Sequence, residues 1–207
     1  MRFGPDHRAA LADILRWRRD VRHFRPDPLP DGALDRLRAA MSSAPSVGNA
    51  RPWRVIRVLD PTLRAAIRAE FLRCNTDAAA IYDGDRRDAY LALKLAGLDN
   101  APEQLAVFTD TAPMAGHGLG RQTQPETLAL STAMAIHTLW LAARAENIGL
   151  GMLSILDPAR VERLLDTPPH WRFAAYLCVG LSSFDDDTPL LHRKGWQEND
   201  EPEWGVR

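Results

Sequence analysis

Apolar positions recur first at a helical period. Ala9, Ala10, Leu11, Ile14, Leu15 and Trp17 fall within residues 6–19 and predict an amphipathic helix that runs into Arg18-Arg19-Asp20-Val21-Arg22. Pro26, Pro28 and Pro30 cannot continue a helix, because each lacks a backbone donor and restricts its predecessor. Asp31 is placed to cap a second helix reaching Met41. Residues 42–52 are rich in Ser, Pro, Gly and Asn and read as a loop; Val55, Ile56 and Val58 give residues 53–59 strand character. Pro61 opens a helix carrying Leu63, Ala66, Ile67, Phe71 and Leu72, and another pattern spans Asp85 to Leu98. Leu105 to Phe108 is a short buried strand, and residues 110–124, with Gly116, Gly118 and Gly120, form a long loop. The longest helical pattern, Glu126 to Glu146, is apolar on most sides, as in a central core helix or a subunit interface. Gly149 and Gly151 open a strand reaching Ile155, Asp157-Pro158 starts a short helix, and Phe173 to Val179 is the last strand. Beyond Gly180 the chain is polar and acidic, with Trp196 and Trp204 isolated in it.

Helices alternating with short strands predict a layered α+β fold. No repeat or linker divides the 207 residues, so residues 1–207 are expected to form one domain, with about 181–207 as an extended arm. An arm carrying two Trp residues and no core of its own is expected to pack on something else, such as a partner subunit. Composition narrows the partners. Lys plus Arg is 26 and Asp plus Glu is 27, a net charge of −1, which argues against nucleic acid and membrane surfaces. The N-terminus has no apolar signal region and no run approaches 18 apolar residues, so a soluble, cytoplasmic protein is expected. Cys74 and Cys178 read as buried free thiols, and no Cys/His cluster has metal-ligand spacing.

Four segments could carry chemistry. Arg18 and Arg22, four apart on a helix end, share a face and can grip a phosphate; the same charges also suit a solvated helix end facing its own dipole. Asp20, amid these cations, is expected to serve as a base or hydroxyl acceptor. Residues 44–49, Ala-Pro-Ser-Val-Gly-Asn, followed by Arg51-Pro52-Trp53, either present backbone amides to a planar heterocycle or simply join a helix to a strand. Gly149 and Gly151 let a flat ring lie against a strand, with Ser154 placed to donate to it; the third glycine of a dinucleotide fingerprint is missing. Residues 116–121 lack the Lys-Ser/Thr pair of a phosphate loop and read as a flexible lid, and His137 reads as a satisfied core histidine.

Taken in order, these segments resemble the nitroreductase superfamily, and within it the BluB branch, the 5,6-dimethylbenzimidazole synthases. The stretches that carry the resemblance are RRDVRHF (18–24), APSVGN (44–49) with PW (52–53), DGDRRDAYLALKLAGL (83–98), GRQTQPE (120–126), LWLAARAENIGLGMLSILDP (139–158), AYLCVG (175–180) and the ending KGW…EWGVR (194–207). The resemblance implies a mixed sheet flanked by helices, in a homodimer with an exchanged C-terminal arm and FMN at the interface. It places Arg18, Arg19, Asp20, Val21 and Arg22 on the cofactor, the arginines holding phosphate and ribityl chain. Pro45, Ser46 and Gly48 would contact the isoalloxazine from one side, and Leu153 and Ser154 from the other side or the other subunit. Asp20 and Ser154 match the two positions the family requires for catalysis, Asp20 as a base near the ribityl chain and Ser154 as a positioning group.

The implied reaction is the O2-dependent fragmentation of reduced FMN to 5,6-dimethylbenzimidazole, the lower ligand of vitamin B12, with NAD(P)H acting through a separate flavin reductase. Arg51 stands where the family has Gln, Asn49-Ala50 replaces a larger apolar pair, and Leu128 and Leu130 stand where Asp and Tyr are expected. The first two changes open and recharge the space above the ring. They motivate two alternatives: an NAD(P)H-dependent FMN oxidoreductase acting on a small aromatic or quinone acceptor, and a flavin-storing protein without turnover.

Overall fold

The computed structural model describes residues 1–93 and 96–207. Its centre is a four-stranded sheet in the order β1-β2-β4-β3, formed by β1 (Trp53–Arg57), β2 (Glu103–Asp110), β3 (Gly149–Leu153) and β4 (Trp171–Gly180). All three strand pairs are antiparallel. The mixed character expected of the sheet reduces, among the described residues, to one parallel bridge between Asp20 and Leu150.

Both faces of this sheet are covered, and strand alternation decides which side chain goes where. Leu105, Val107, Ala175, Leu177 and Val179 face α2 (Ala33–Ser42) and α5 (Thr127–Ala145). Ala106, Phe108, Tyr176 and Cys178 face α3 (Pro61–Ala79) and α6 (Pro158–Leu164). Burial holds the Cys178 thiol up at about 12, so it stays protonated and inert. Asp60 and Asp157 cap α3 and α6 by accepting from Thr62 N and Arg160 N, with Pro at the start of each helix. Asp31 does not cap α2; Gly32, in the left-handed region at φ 69°, occupies the cap position instead.

Helix α5 would satisfy a membrane span by length and composition, with mean hydropathy 1.2. Ala135, Ile136, Leu139 and Ala143 nevertheless pack in the core shared with α2 and the sheet, as in a core helix. Its other face is open: Leu130 and Met134 are exposed, and so is His137, which is therefore no core histidine. Helix α1 (Pro5–Trp17) buries none of its residues and leaves Leu11 and Leu15 in the open. Helix α4 (Gly84–Leu91) is shorter than the pattern over 85–98 predicted, and residues 94 and 95 of that pattern lie outside the described residues.

Glu70 on α3 is buried, with a side chain 1% exposed, and ties α3 to α6. Arg73 donates to it at 2.5 and 3.0 Å, and Arg160 lies 2.9 Å away. The Arg73 hydrogen bonds hold its carboxyl at about 2, against an ordinary 4.5. A depressed carboxylate stabilises the fold fully above the unfolded value and loses that contribution as pH falls toward the folded one. Glu70→Gln should therefore lower stability by about 1–3 kcal/mol at neutral pH. The gap to wild type should close as the pH of the thermal melt is lowered from about 5 toward 2; a gap independent of pH would show that packing, not charge, is what the substitution removes.

Candidate functional site

Helix α1 ends at Trp17, two residues before the pattern predicted, because Arg18 turns into the extended region (φ −72°, ψ 112°). The arginine stretch is therefore an added edge of the sheet and not a helix face. Val21 N donates to Leu150 O at 3.1 Å, while Arg25 N and Ser183 N bond Leu181 O and His23 O across to the next segment. Arg18, Asp20 and Arg22 now share a side through the two-residue strand period instead of the four-residue helix period. Asp20 Oδ1 accepts from Met152 N at 2.8 Å, so a carboxylate stands where the next ladder carbonyl would be. Its Oδ2 accepts from Arg22 Nε at 2.9 Å.

Two glycines permit this edge. A Cβ on Gly149 would meet both Val21 methyls at 3.1 Å, and one on Gly151 would collide with the Val21 carbonyl oxygen. The Gly-x-Gly pair thus makes room for the chain's own Asp20-Val21 segment, where the sequence suggested room for a flat ring. Leu153 points into the core beneath the sheet, 3% exposed, so only its backbone is available to a ligand. Ser154, just past β3, is exposed.

Arg19 Nη1 and Nη2 donate to the Arg18 and Arg16 carbonyls at the end of α1 and to Asp187 O at 2.8 Å. Its Nε is buried with no partner among the described residues, and burial followed by the neighbouring Arg18 pushes its pKa below the ordinary arginine value. Arg18 stacks over Trp140, 4.9 Å from the ring centroid, and Trp140 Nε1 donates to Arg19 O at 3.2 Å. A cleft of about 370 Å³ opens beside Arg18, Arg19, Asp20 and Arg22, with His192, Gln197 and Asn199 on its far wall. A cationic cleft with an unpartnered buried donor fits an anion such as a phosphate. Sequence reasoning missed Trp140, His192, Gln197 and Asn199. Trp140 hid in an apolar helix, and His192, Gln197 and Asn199 sit in a polar tail with no periodicity to single them out.

The second loop lies elsewhere. Val47 N donates to Ser131 Oγ at 3.0 Å, near the start of α5, and Ser46 Oγ accepts from Arg51 N at 3.0 Å within its own turn. Gly48, Asn49 and Arg51 all have left-handed backbone, at φ 54°, 53° and 45°. For Asn49 and Arg51 this stores strain of roughly 1 kcal/mol or more each. A Cβ on Gly48 would press on the Leu119 and Gly116 carbonyls, so residues 116–119 are packed against this loop and do not lie over the arginine cleft as a lid. Pro45, Ser46 and Gly48 do not reach that cleft within one chain. Between the two loops runs an apolar groove of about 640 Å³, floored by β4 and walled by Leu128, Ala133, Ile136, His137, Trp140 and Met152. The tail is not wholly an extended arm: α7 (Leu190–Arg193) and Trp196 pack on the chain's own residues, whereas Trp204 is exposed.

The sequence profile of the Nitroreductase family matches residues 15–181. The chain belongs to that family. Its full-length relatives narrow the assignment to the 5,6-dimethylbenzimidazole synthase branch. It is 64% identical, over 100% of both chains, to a 5,6-dimethylbenzimidazole synthase of Rhodobacter capsulatus. It is 52% identical to one of Rhodospirillum rubrum, covering 94% of this chain and 92% of that one. Among solved structures, an iodotyrosine deiodinase bound to FMN and 3-iodo-L-tyrosine shares the fold with a TM-score of 0.73, at 24% identity over 95% of this chain and 97% of that one.

Proposed function

We propose that this chain is a flavin-dependent oxidoreductase that fragments reduced FMN, with O2, to 5,6-dimethylbenzimidazole. The observation that carries the reading is the fixing of the Asp20 carboxylate by Met152 N–H, two residues before the exposed Ser154 on the same strand edge. That arrangement occurs in a chain 64% identical to a protein named for this synthesis. FMN, when bound, supplies the ring system that is broken and the electrons that reduce O2. Arg18, Arg19 and Arg22 would hold its phosphate and ribityl chain, with Val21 lining the segment and the buried Arg19 Nε offering a donor. Asp20 spends one lone pair of each oxygen on Met152 and Arg22, which leaves others free to accept a proton from a substrate carbon or hydroxyl. Ser154 would orient the ring by hydrogen bonding, beside the Leu153 backbone.

The geometry also calls for a second copy. The Pro45–Gly48 loop is anchored at Ser131 and the arginine edge at Trp140, nine residues apart on α5, or roughly 13 Å of helix. Antiparallel packing of α5 against its symmetry mate would bring the loop of one chain to the cleft of the other. It would also cover the open stripe of Leu130, Met134 and the apolar groove. We infer a homodimer with FMN at its interface, in which Pro45, Ser46 and Gly48 would reach the partner's flavin. Met134→Glu should halve the mass seen in sedimentation and release FMN; an FMN-loaded monomer would refute the shared site. We place the protein in the cytoplasm, where free thiols such as Cys74 and Cys178 persist, with a separate flavin reductase using NAD(P)H as the source of reduced FMN.

The direct test is to mix the protein with reduced FMN and air and to separate the products by chromatography. Dimethylbenzimidazole is expected. Clean reoxidation to FMN would overturn the proposal, and rapid NADPH oxidation with an added quinone would move the assignment to an acceptor reductase.

A further inference from the structure

Among residues 193–207 every side chain is exposed except Trp196. Its indole is enclosed by three residues at the α3–α4 corner. The Arg86 guanidinium carbon lies 3.8 Å from the ring centroid, Tyr82 meets the ring edge-on at 5.4 Å, and Tyr90 lies at 6.0 Å. Arg86 Nη2 also donates to Trp196 O at 3.3 Å. Tyr90 is the one buried residue of α4, and its hydroxyl donates to Asn75 Oδ1 at 2.8 Å, so the aromatic cluster is anchored in α3.

Trp196 is joined to the arginine cleft through a short piece of backbone. Helix α7 contributes Leu190, Leu191 and His192 to the cleft wall. It ends at Gly195 in left-handed conformation (φ 65°), where Gly195 N donates to His192 O and Trp196 N to Leu191 O, both at 2.9 Å. These paired bonds form a helix stop that fixes the angle between α7 and Trp196. Gln197, the next residue, is again part of the cleft wall. On the other side of α7, Asp187 pairs with Arg16 at 2.6 Å and Asp186 with Arg193 at 2.5 Å.

We propose that residues 188–199 form a strap that closes the arginine cleft over the phosphate end of its ligand, with Trp196 as the fastening that α4 holds. The strap must lift for the ligand to enter or leave, and lifting it means withdrawing Trp196 from Arg86 and Tyr82. This rests on reading the cleft as a phosphate site. The strap is not the chemistry: neither Trp196 nor Arg86 reaches Asp20 or Ser154.

The test uses the full-length protein and two probes, FMN and riboflavin, which differ only in the phosphate. Release rates are read by flavin fluorescence for wild type, Trp196→Ala, Arg86→Ala and the conservative Trp196→Phe, alongside hydrogen–deuterium exchange of residues 188–199. Trp196→Ala and Arg86→Ala should speed FMN release about tenfold, leave riboflavin release within about twofold, and raise exchange throughout the strap; Trp196→Phe should restore most of the FMN retention. Unchanged FMN release in variants whose strap exchanges faster would overturn the closure. Unchanged exchange would overturn the fastening. A wild-type protein that released FMN and riboflavin equally fast would overturn the phosphate assignment of the cleft itself, which is a different result from either.

Discussion

Asp20→Asn is expected to abolish 5,6-dimethylbenzimidazole formation while the protein still binds FMN. The substitution preserves shape, and the amide oxygen can still accept from Met152 N, so the edge of the sheet should survive. What it removes is the proton acceptor and the charge opposite Arg22. Loss of a positioned general base lowers rates by about 10²–10⁴. FMN affinity should stay level or rise slightly, because removing the Asp20 charge leaves the cleft beside Arg18, Arg19 and Arg22 more positive toward a phosphate. Single-turnover reactions with reduced FMN and air, with product measured by chromatography and affinity by fluorescence titration, separate the two effects. Product formation within about threefold of wild type would remove Asp20 from the chemistry. Ser154→Ala is the companion: the side chain is exposed, so folding should be untouched and any loss of product is a site effect.

Much of the architecture was legible because its causes are local. Periodicity and Pro punctuation placed α3, α5, α6 and the strands, and Asp157 caps α6 where Asp157-Pro158 marked its start, whereas the cap expected at Asp31 is taken by Gly32. The failures came where a distant segment decides local structure. Arg18 to Arg22 reads as a helix end until the open edge of β3 competes for its backbone. Gly149 and Gly151 read as room for a ring, when the room is taken by Val21. Residues 116–121 read as a lid, because nothing local reveals that Gly48 will pack against them. The strand order depends on pairings across the chain, and no periodicity encodes them. The tail was the reverse case: lacking a core pattern, it suggested an arm reaching away, yet one indole is enough to bring it back onto α4.

Gly151→Ala should be among the most damaging single substitutions in this chain, although the new methyl touches no ligand. The strand backbone at this position accepts alanine without strain, since Gly151 is not among the left-handed glycines. The obstacle is the Val21 carbonyl oxygen, which occupies the space a Cβ needs. A backbone atom cannot rotate aside as a side chain can, so the Asp20-Val21 segment must move off β3. Two hydrogen bonds straddle the collision, Val21 N to Leu150 O and Met152 N to Asp20 Oδ1, and both lengthen when it moves. Overpacking of this kind costs about 3 kcal/mol, or roughly 6–12 °C in melting temperature for a chain of this size. Gly149→Ala is the control, because the nearest atoms its Cβ would meet are the two Val21 methyls at 3.1 Å and the Gly180 carbonyl at 3.2 Å, contacts that a shift of a few tenths of an ångström relieves. Calorimetry should show a much smaller drop for it, about 1 kcal/mol or less. In the cold, where both variants remain folded, Gly151→Ala should still lose most of its dimethylbenzimidazole product and Gly149→Ala should keep it. Equal melting temperatures would mean that the edge segment is held more loosely than its hydrogen bonds imply. A stable, active Gly151→Ala protein would mean that Asp20 need not be fixed to Met152 for the reaction to run.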